Sequence, residues 1–116
     1  MLFEALNSNM KNEKLTQILS ERKVKPAHPG EVLDDLLEEL NLTQTEIAKM
    51  LGVSRRTVSQ IIHGRRPITV DMAIRLGITF GNGPRLWLNL QQKVDVWDAL
   101  EQHRDEYENL TEFVSS

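Results

Sequence analysis

The strongest constraint on the fold is Gly52, which separates two short segments with helical patterning. Upstream, the residues Thr43-Gln44-Thr45-Glu46 match a capping box, in which the threonine and glutamate side chains each accept a hydrogen bond from the other residue's backbone amide. Downstream, Ser54 is suited to cap a second helix that runs to about His63. Because glycine readily takes the left-handed conformation that ends a helix, the pattern predicts a helix, a tight turn and a second helix over about 43–63.

Small and apolar residues predict how these two helices pack. Ala48 lies where the first helix would cross the second, and only a small side chain permits so close an approach. Val53, Val58 and Ile61 have the spacing of a face that packs against the first helix. Since the inner face is occupied in this way, the polar side chains of the second helix are expected to face outward.

The outward side chains have the chemistry that reads DNA. Arginine can form two hydrogen bonds with guanine, and glutamine can do the same with adenine. In a helix-turn-helix the N-terminal part of the second helix enters the major groove. The candidate base-reading residues are therefore Ser54, Arg55, Arg56, Thr57, Ser59 and Gln60. The candidate phosphate contacts are Gln44 and Thr45 at the start of the first helix, together with Lys49, Arg65 and Arg66.

The distribution of charge along the chain agrees with this assignment, although the net charge is −3. Residues 41–66 carry five basic side chains and a single acid, Glu46. Residues 28–40 carry five acids, and the stretch from Asp95 to the end carries seven acids and only one arginine. Because a local positive field attracts a phosphate backbone whatever the net charge, residues 41–66 are the expected DNA-facing segment.

Three further helices are predicted around this pair, which makes the chain all-α. The first begins at Pro29, runs to about Leu40 and has an apolar stripe formed by Val32, Leu33, Leu36, Leu37 and Leu40. Thr69 is suited to cap the fourth helix, and Pro84 to begin the fifth.

The sequence thus predicts a five-helix domain between two appendages. The domain covers residues 27–97. Residues 1–26 are expected to be an arm or a loosely docked helix, which Pro26 and Pro29 separate from the first helix of the domain. Residues 98–116 are expected to be an acidic C-terminal tail.

Four large apolar residues line one side of the predicted fifth helix, and two roles are open for them. They are Trp87, Leu90, Val94 and Trp97, at spacings of three, four and three. They could complete the core of a single chain or form the seam of a dimer, and both roles can hold at once.

Several classes of function are not expected. Cysteine is absent, and the three histidines, His28, His63 and His103, lack metal-ligand spacing, so we expect no metal, no cofactor and no enzymatic activity. No signal peptide or apolar run long enough to span a bilayer is recognisable, so a cytoplasmic protein without a membrane partner is expected.

Six short runs combine in a pattern known from one family. They are HPGEVL at 28–33, GVSRRTVS at 52–59, GRRPIT at 64–69, DMA at 71–73, RLG at 75–77 and WLNLQ at 87–91. The chain resembles the HigA-type (VapI-type) antitoxins, which belong to the Cro/C1 (XRE-like) group of helix-turn-helix proteins. The resemblance covers about residues 27–97, and residues 1–25 depart from the family pattern.

The resemblance implies a partner and a mode of action. A HigA-type antitoxin neutralises a HigB-type toxin, a ribosome-dependent messenger-RNA endonuclease, and as a homodimer represses the operon that encodes both proteins. The DNA partner would be a double-stranded, palindromic operator. Two alternatives stay open, namely a stand-alone XRE-type repressor without a toxin, and a protein-interaction module whose helix-turn-helix has lost its affinity for DNA.

Overall fold

The structure is a computed structural model that describes residues 25–114, and these residues form five α-helices and no strand. The helices are α1 (Pro29–Glu39), α2 (Gln44–Leu51), α3 (Arg55–Ile62), α4 (Val70–Phe80) and α5 (Pro84–Glu108). The prediction of an all-α fold with five helices is confirmed. The predicted arm over 1–26 lies outside the described residues except for Lys25 and Pro26.

Local capping explains where the helices begin. The Nδ1 atom of His28 accepts a hydrogen bond from the amide of Gly30 at 2.9 Å, so this histidine caps α1 and Pro29 is its first residue. Thr69 caps α4 in the predicted way, since its Oγ1 accepts from the amide of Met72 at 3.1 Å. Each cap satisfies an amide that a helix end would otherwise leave without a partner.

Residues 26–95 form one compact unit around a single apolar core. The core side chains come from all five helices and from the loop before α4; they are Leu33, Leu37, Ile47, Ala48, Leu51, Val58, Ile61, Ile68, Met72, Ala73, Leu76 and Trp87. Burial of a side chain such as leucine or isoleucine contributes about 1.5–3 kcal/mol, so this cluster is the main source of stability for the unit.

Trp87 lies inside this core. Its side chain is fully buried, its ring centroid is 6.0 Å from that of Phe80, and its Nε1 donates a 3.2 Å hydrogen bond to Oδ1 of Asn82. Val94 is also buried, and Leu90 packs half-buried against the core. These residues therefore serve the interior of one chain, and a contact between two copies through them stays a prediction.

The described part of the second compact unit comprises Lys25 and residues 96–114. Here α5 continues to Glu108, further than the sequence pattern indicates, with one residue of non-helical conformation, His103 (φ −124°, ψ 23°). Arg104 pairs with Glu101 at 3.4 Å, and His103 Nδ1 lies 3.1 Å from Glu106 Oε1. Much of the predicted acidic tail is therefore helical.

None of the helices among residues 25–114 is both long enough and apolar enough to cross a membrane.

Candidate nucleic-acid interface

α2 begins with the capping box that the sequence predicts. Thr43 Oγ1 accepts from the amide of Glu46 at 3.0 Å, and Glu46 Oε1 accepts from the amide of Thr43 at 3.1 Å. Gln44 and Thr45 consequently lie in the first turn of α2, at the positive end of the helix dipole. Thr45 is exposed, whereas Gln44 is half-buried and its Oε1 has no hydrogen-bond partner among residues 25–114.

The turn between α2 and α3 is built from Gly52 and two backbone hydrogen bonds. Gly52 has φ 72° and ψ 32°, the left-handed conformation that residues with a Cβ atom rarely adopt. Its amide donates to the carbonyl oxygen of Lys49 at 3.2 Å, and the amide of Val53 donates to the carbonyl oxygen of Ala48 at 3.0 Å. These bonds close the end of α2 and set the direction in which α3 leaves.

α3 has one buried face and one exposed face. Val58 and Ile61 are buried in the core, whereas Arg55 and Arg56 are exposed in the first turn. Ser54 caps this turn as predicted. The helix therefore presents two guanidinium groups at its N-terminal end, the part that enters the major groove in proteins with this motif.

The other predicted base-reading residues differ in how free their side chains are. Ser54 Oγ accepts from the amide of Thr57 and lies 3.0 Å from its Oγ1, so both hydroxyls are engaged at the cap. Ser59 Oγ lies 3.4 Å from Nδ1 of His63. Gln60 is half-buried and its side chain makes no hydrogen bond to residues 25–114. Within α3, the side chains with uncommitted donors are thus those of Arg55, Arg56 and Gln60.

The basic loop after α3 is held in place by a residue that the sequence analysis did not assign. Arg65 and Arg66 are both exposed, and the loop then returns to the core at Ile68. Gln91, which is buried in α5, accepts a 2.8 Å hydrogen bond from the amide of Ile68 and donates a 2.9 Å bond to Oδ1 of Asp95. A glutamine 23 residues further along the chain thus fixes the loop, and no local pattern signals this contact.

A second unassigned residue, Arg75, supports the turn of the motif. Its Nη1 donates to the carbonyl oxygen of Leu51 at 2.8 Å, and its Nε donates to Oδ2 of Asp71 at 2.9 Å. The last carbonyls of a helix have no partner within the helix, so this guanidinium caps the C-terminal end of α2 from α4. Lys49, the remaining predicted phosphate contact, is exposed on α2.

Replacing Arg75 by alanine is expected to lower the free energy of unfolding by about 1–2 kcal/mol, because a charge-assisted hydrogen bond to a backbone carbonyl is lost. Urea denaturation followed by circular dichroism measures the change. Arg66→Ala is the control, since Arg66 is an exposed arginine and its loss should change stability by less than about 0.5 kcal/mol. Equal stabilities of the two variants would refute the capping role.

The described residues offer nothing that points to a metal site. No group of three or more histidine, aspartate or glutamate side chains within 25–114 is arranged to hold an ion. The five basic side chains of residues 41–66 lie on α2, α3 and the following loop, while the acids of α1 are exposed on a different helix.

Comparison with known proteins places the chain in a family. The helix-turn-helix family model HTH_3 matches residues 33–93, more than half of the chain. Antitoxin HigA-1 of Vibrio cholerae is 39% identical over 85 residues, which are 72% of this chain and 80% of the relative. The family consists of DNA-binding regulators and antitoxins and not of enzymes.

Two solved structures are similar over most of their length. A protein of Nostoc punctiforme, assigned as an antidote protein of a plasmid maintenance system, is 59% identical with a TM-score of 0.69 and covers 73% of this chain and 93% of its own. Pseudomonas aeruginosa antitoxin HigA, solved with the higBA promoter, is 36% identical with a TM-score of 0.71 and covers 78% and 99%. The chain therefore belongs to the Cro/C1-type helix-turn-helix family, in the group of the HigA antitoxins.

Proposed function

We propose that this protein is a DNA-binding antitoxin that represses its own toxin–antitoxin operon and neutralises a HigB-type toxin, an endonuclease that cuts messenger RNA. The observation that carries the DNA-binding part is the exposed Arg55–Arg56 pair at the capped start of α3, on a helix whose opposite face is fixed in the core. A helix held in this way can enter the major groove without a change in its packing.

The basic side chains around α3 support a division of labour on DNA. Arg55, Arg56 and Gln60 carry uncommitted donors and are assigned to base edges. Arg65 and Arg66, on the loop that Gln91 fixes, are assigned to phosphates, which hold the protein in register on the duplex. The P. aeruginosa relative, solved with the higBA promoter, supports operator DNA as the ligand.

The toxin partner is supported by the relatives and by charge. HigA-1 of V. cholerae is named an antitoxin. A toxin that cuts messenger RNA, as proposed here, must bind the phosphates of its substrate. The end of α5 exposes Glu101, Asp105, Glu106 and Glu108, which complement a basic RNA-cutting surface.

Replacing Arg55 or Gln60 by alanine is expected to relax base preference. A bidentate base contact contributes about 1–3 kcal/mol of discrimination, so each variant should lose roughly tenfold or more in its preference for the operator. Competitive binding of operator and single-base variants measures this. Variants that keep the full wild-type preference would show that α3 reads DNA with other residues.

Replacing Arg65 or Arg66 by alanine is expected to weaken binding to every DNA sequence by a similar factor. Each phosphate contact releases counterions from the DNA when it forms, so a variant that lacks one contact releases fewer of them. The negative slope of log affinity against log salt should therefore become shallower by about 1 per arginine removed. A salt titration on operator and on shuffled DNA measures both effects. If preference between sequences changes and the slope does not, these arginines are base readers.

Co-expression tests the antitoxin function as a whole. The product of the adjacent gene is expressed with and without this chain, and growth and co-purification are measured. The proposal predicts a stoichiometric complex and growth arrest only when this chain is absent. A protein that binds its operator but neither rescues growth nor forms a complex would be a stand-alone XRE-type repressor, and one that forms the complex without binding DNA would be an interaction module.

A further inference from the structure

Gln91 is the one buried polar side chain among residues 25–114, with 7% of its surface exposed. Burying an amide group costs free energy unless its donor and its acceptor both find partners. The partners of Gln91 therefore indicate what a glutamine does at this position of α5 that a leucine could not do.

The two partners of Gln91 fix the orientation of its amide group. Its Oε1 accepts from the amide of Ile68 at 2.8 Å, and its Nε2 donates to Oδ1 of Asp95 at 2.9 Å. A backbone amide can only donate and an ionised carboxylate can only accept, so these partners admit a single orientation of the glutamine. Asp95, an exposed residue four positions further along α5, thus orients the side chain that holds Ile68.

The basic loop after α3 is tied down at both ends. At its start, the amide of Arg65 donates to a carbonyl oxygen of α3 at 2.8 Å. At its end, the amide of Ile68 is bound by Gln91. Only Arg66 and Pro67 lie between these anchors, and a proline restricts both its own backbone and that of the residue before it. The two anchors therefore determine where the two exposed arginines of the loop lie.

We propose that Gln91 is a positioning residue for DNA binding, which holds the loop so that Arg65 and Arg66 reach the phosphate backbone. The inference rests on the proposed function, which assigns these two arginines to phosphates. Asp95 belongs to the same device, because without its carboxylate the amide group of Gln91 is free to turn. The side chain of Ile68 is itself buried in the core, so we expect loss of the hydrogen bond to shift the loop on a domain that stays folded.

Gln91→Leu removes the acceptor for the Ile68 amide. Binding to the operator and to a shuffled duplex should weaken alike, roughly tenfold, and the slope of log affinity against log salt should become shallower by about 1 per displaced arginine. In a protein that already carries Arg65→Ala and Arg66→Ala, the same change should alter affinity less than about twofold, because the groups that it positions are gone. Gln92→Leu, at the exposed neighbouring position, is the control and should bind as the wild type does.

An exchange of the two polar groups provides a rescue. Gln91→Glu alone places two carboxylates together without a donor between them and should weaken binding. Gln92→Glu adds the same charge at an exposed position and is its control. Gln91→Glu combined with Asp95→Asn keeps the wild-type net charge, and the new asparagine amide can donate to the new glutamate, which still accepts from Ile68. The exchanged pair should recover the affinity and the salt slope of the wild type.

Asp95→Ala tests the orienting role at an exposed position, where the substitution leaves the core untouched. Removal of a negative charge would by itself strengthen attraction to DNA, whereas the proposal predicts weaker binding. Asp95→Asn removes the same charge but keeps an oxygen that can accept from Gln91, so it should bind at least as tightly as the wild type.

Fluorescence anisotropy at several salt concentrations measures these affinities, and circular dichroism establishes that each variant is folded. A purely structural role would lower stability and leave the salt slope of the folded protein unchanged. Folded Gln91→Leu or Asp95→Ala with wild-type affinity and slope would overturn the inference and leave operator binding intact. So would an equal loss with and without the loop arginines. If Gln91→Leu does not fold, Asp95→Ala and the exchanged pair decide. A wild-type chain that binds no DNA would instead overturn the proposed function, and this inference with it.

Discussion

Replacing Gly30 by alanine is expected to destabilise the protein by about 3 kcal/mol or more, a large effect for the addition of one methyl group. The added Cβ would overlap the carbonyl oxygen of Ile61 and lie 2.9 Å from Cα of Ile62. Both obstacles are backbone atoms of α3, so no side chain can rotate away and one helix must move. One of the two crossing helices, α1 or α3, must shift, and α3 carries Arg55 and Arg56. We therefore also expect that the molecules of the variant that still fold bind the operator more weakly than the wild type.

Thermal and urea denaturation measure the effect of Gly30→Ala. The control is Glu31→Ala, one residue further along the same helix turn at an exposed side chain, for which a change of less than about 0.5 kcal/mol is expected. In a unit of this size, 3 kcal/mol corresponds to a decrease in Tm of more than about 10 °C. A melting temperature of Gly30→Ala within a few degrees of the control would contradict the close crossing of α1 and α3.

Replacing Trp87 by alanine is expected to cost about 3–5 kcal/mol, the usual range for removal of a fully buried tryptophan. The change leaves a cavity beside Phe80 and removes the partner of Asn82 Oδ1. Because Trp87 packs within one chain, the loss of stability should be the same at every protein concentration. A residue of a dimer seam would instead give a loss that depends on concentration.

Trp87→Phe is the matched variant for this experiment. It keeps a ring against Phe80 and loses only the indole donor and part of the volume, so we expect a smaller cost, about 1–2 kcal/mol. The measurement is the melting temperature over a dilution series. If the effect of Trp87→Ala vanishes on dilution, then the tryptophan acts between copies and its assignment to the core is wrong.

The parts of the fold that the sequence predicts are those set by neighbouring residues. The caps at Thr43, Ser54 and Thr69 and the turn at Gly52 each depend on side chains within three or four positions, and the structure has all of them. Residue type and spacing carry this information directly. The outward position of Arg55 follows in the same way from the periodicity of α3.

The parts that the sequence misses depend on the crossing of distant elements. The contacts of Gly30 with Ile61, of Arg75 with Leu51 and of Gln91 with Ile68 each join residues more than twenty positions apart. A glycine inside a helix or a glutamine in an apolar stripe has no local signature of such a contact. The same limit applies to α4, on which Val70, Ile74 and Ile78 are exposed, because periodicity alone does not tell which face of a largely apolar helix the core covers.

The most direct test of the central claim, that α3 reads an operator, is a fluorescence anisotropy titration of the purified protein. The duplex upstream of its own gene is compared with a shuffled duplex of the same length and composition, at several salt concentrations. We predict a preference of about a thousandfold or more for the upstream duplex, with affinity that falls steeply as salt increases. Equal affinity for the two duplexes, or affinity insensitive to salt, would contradict the account.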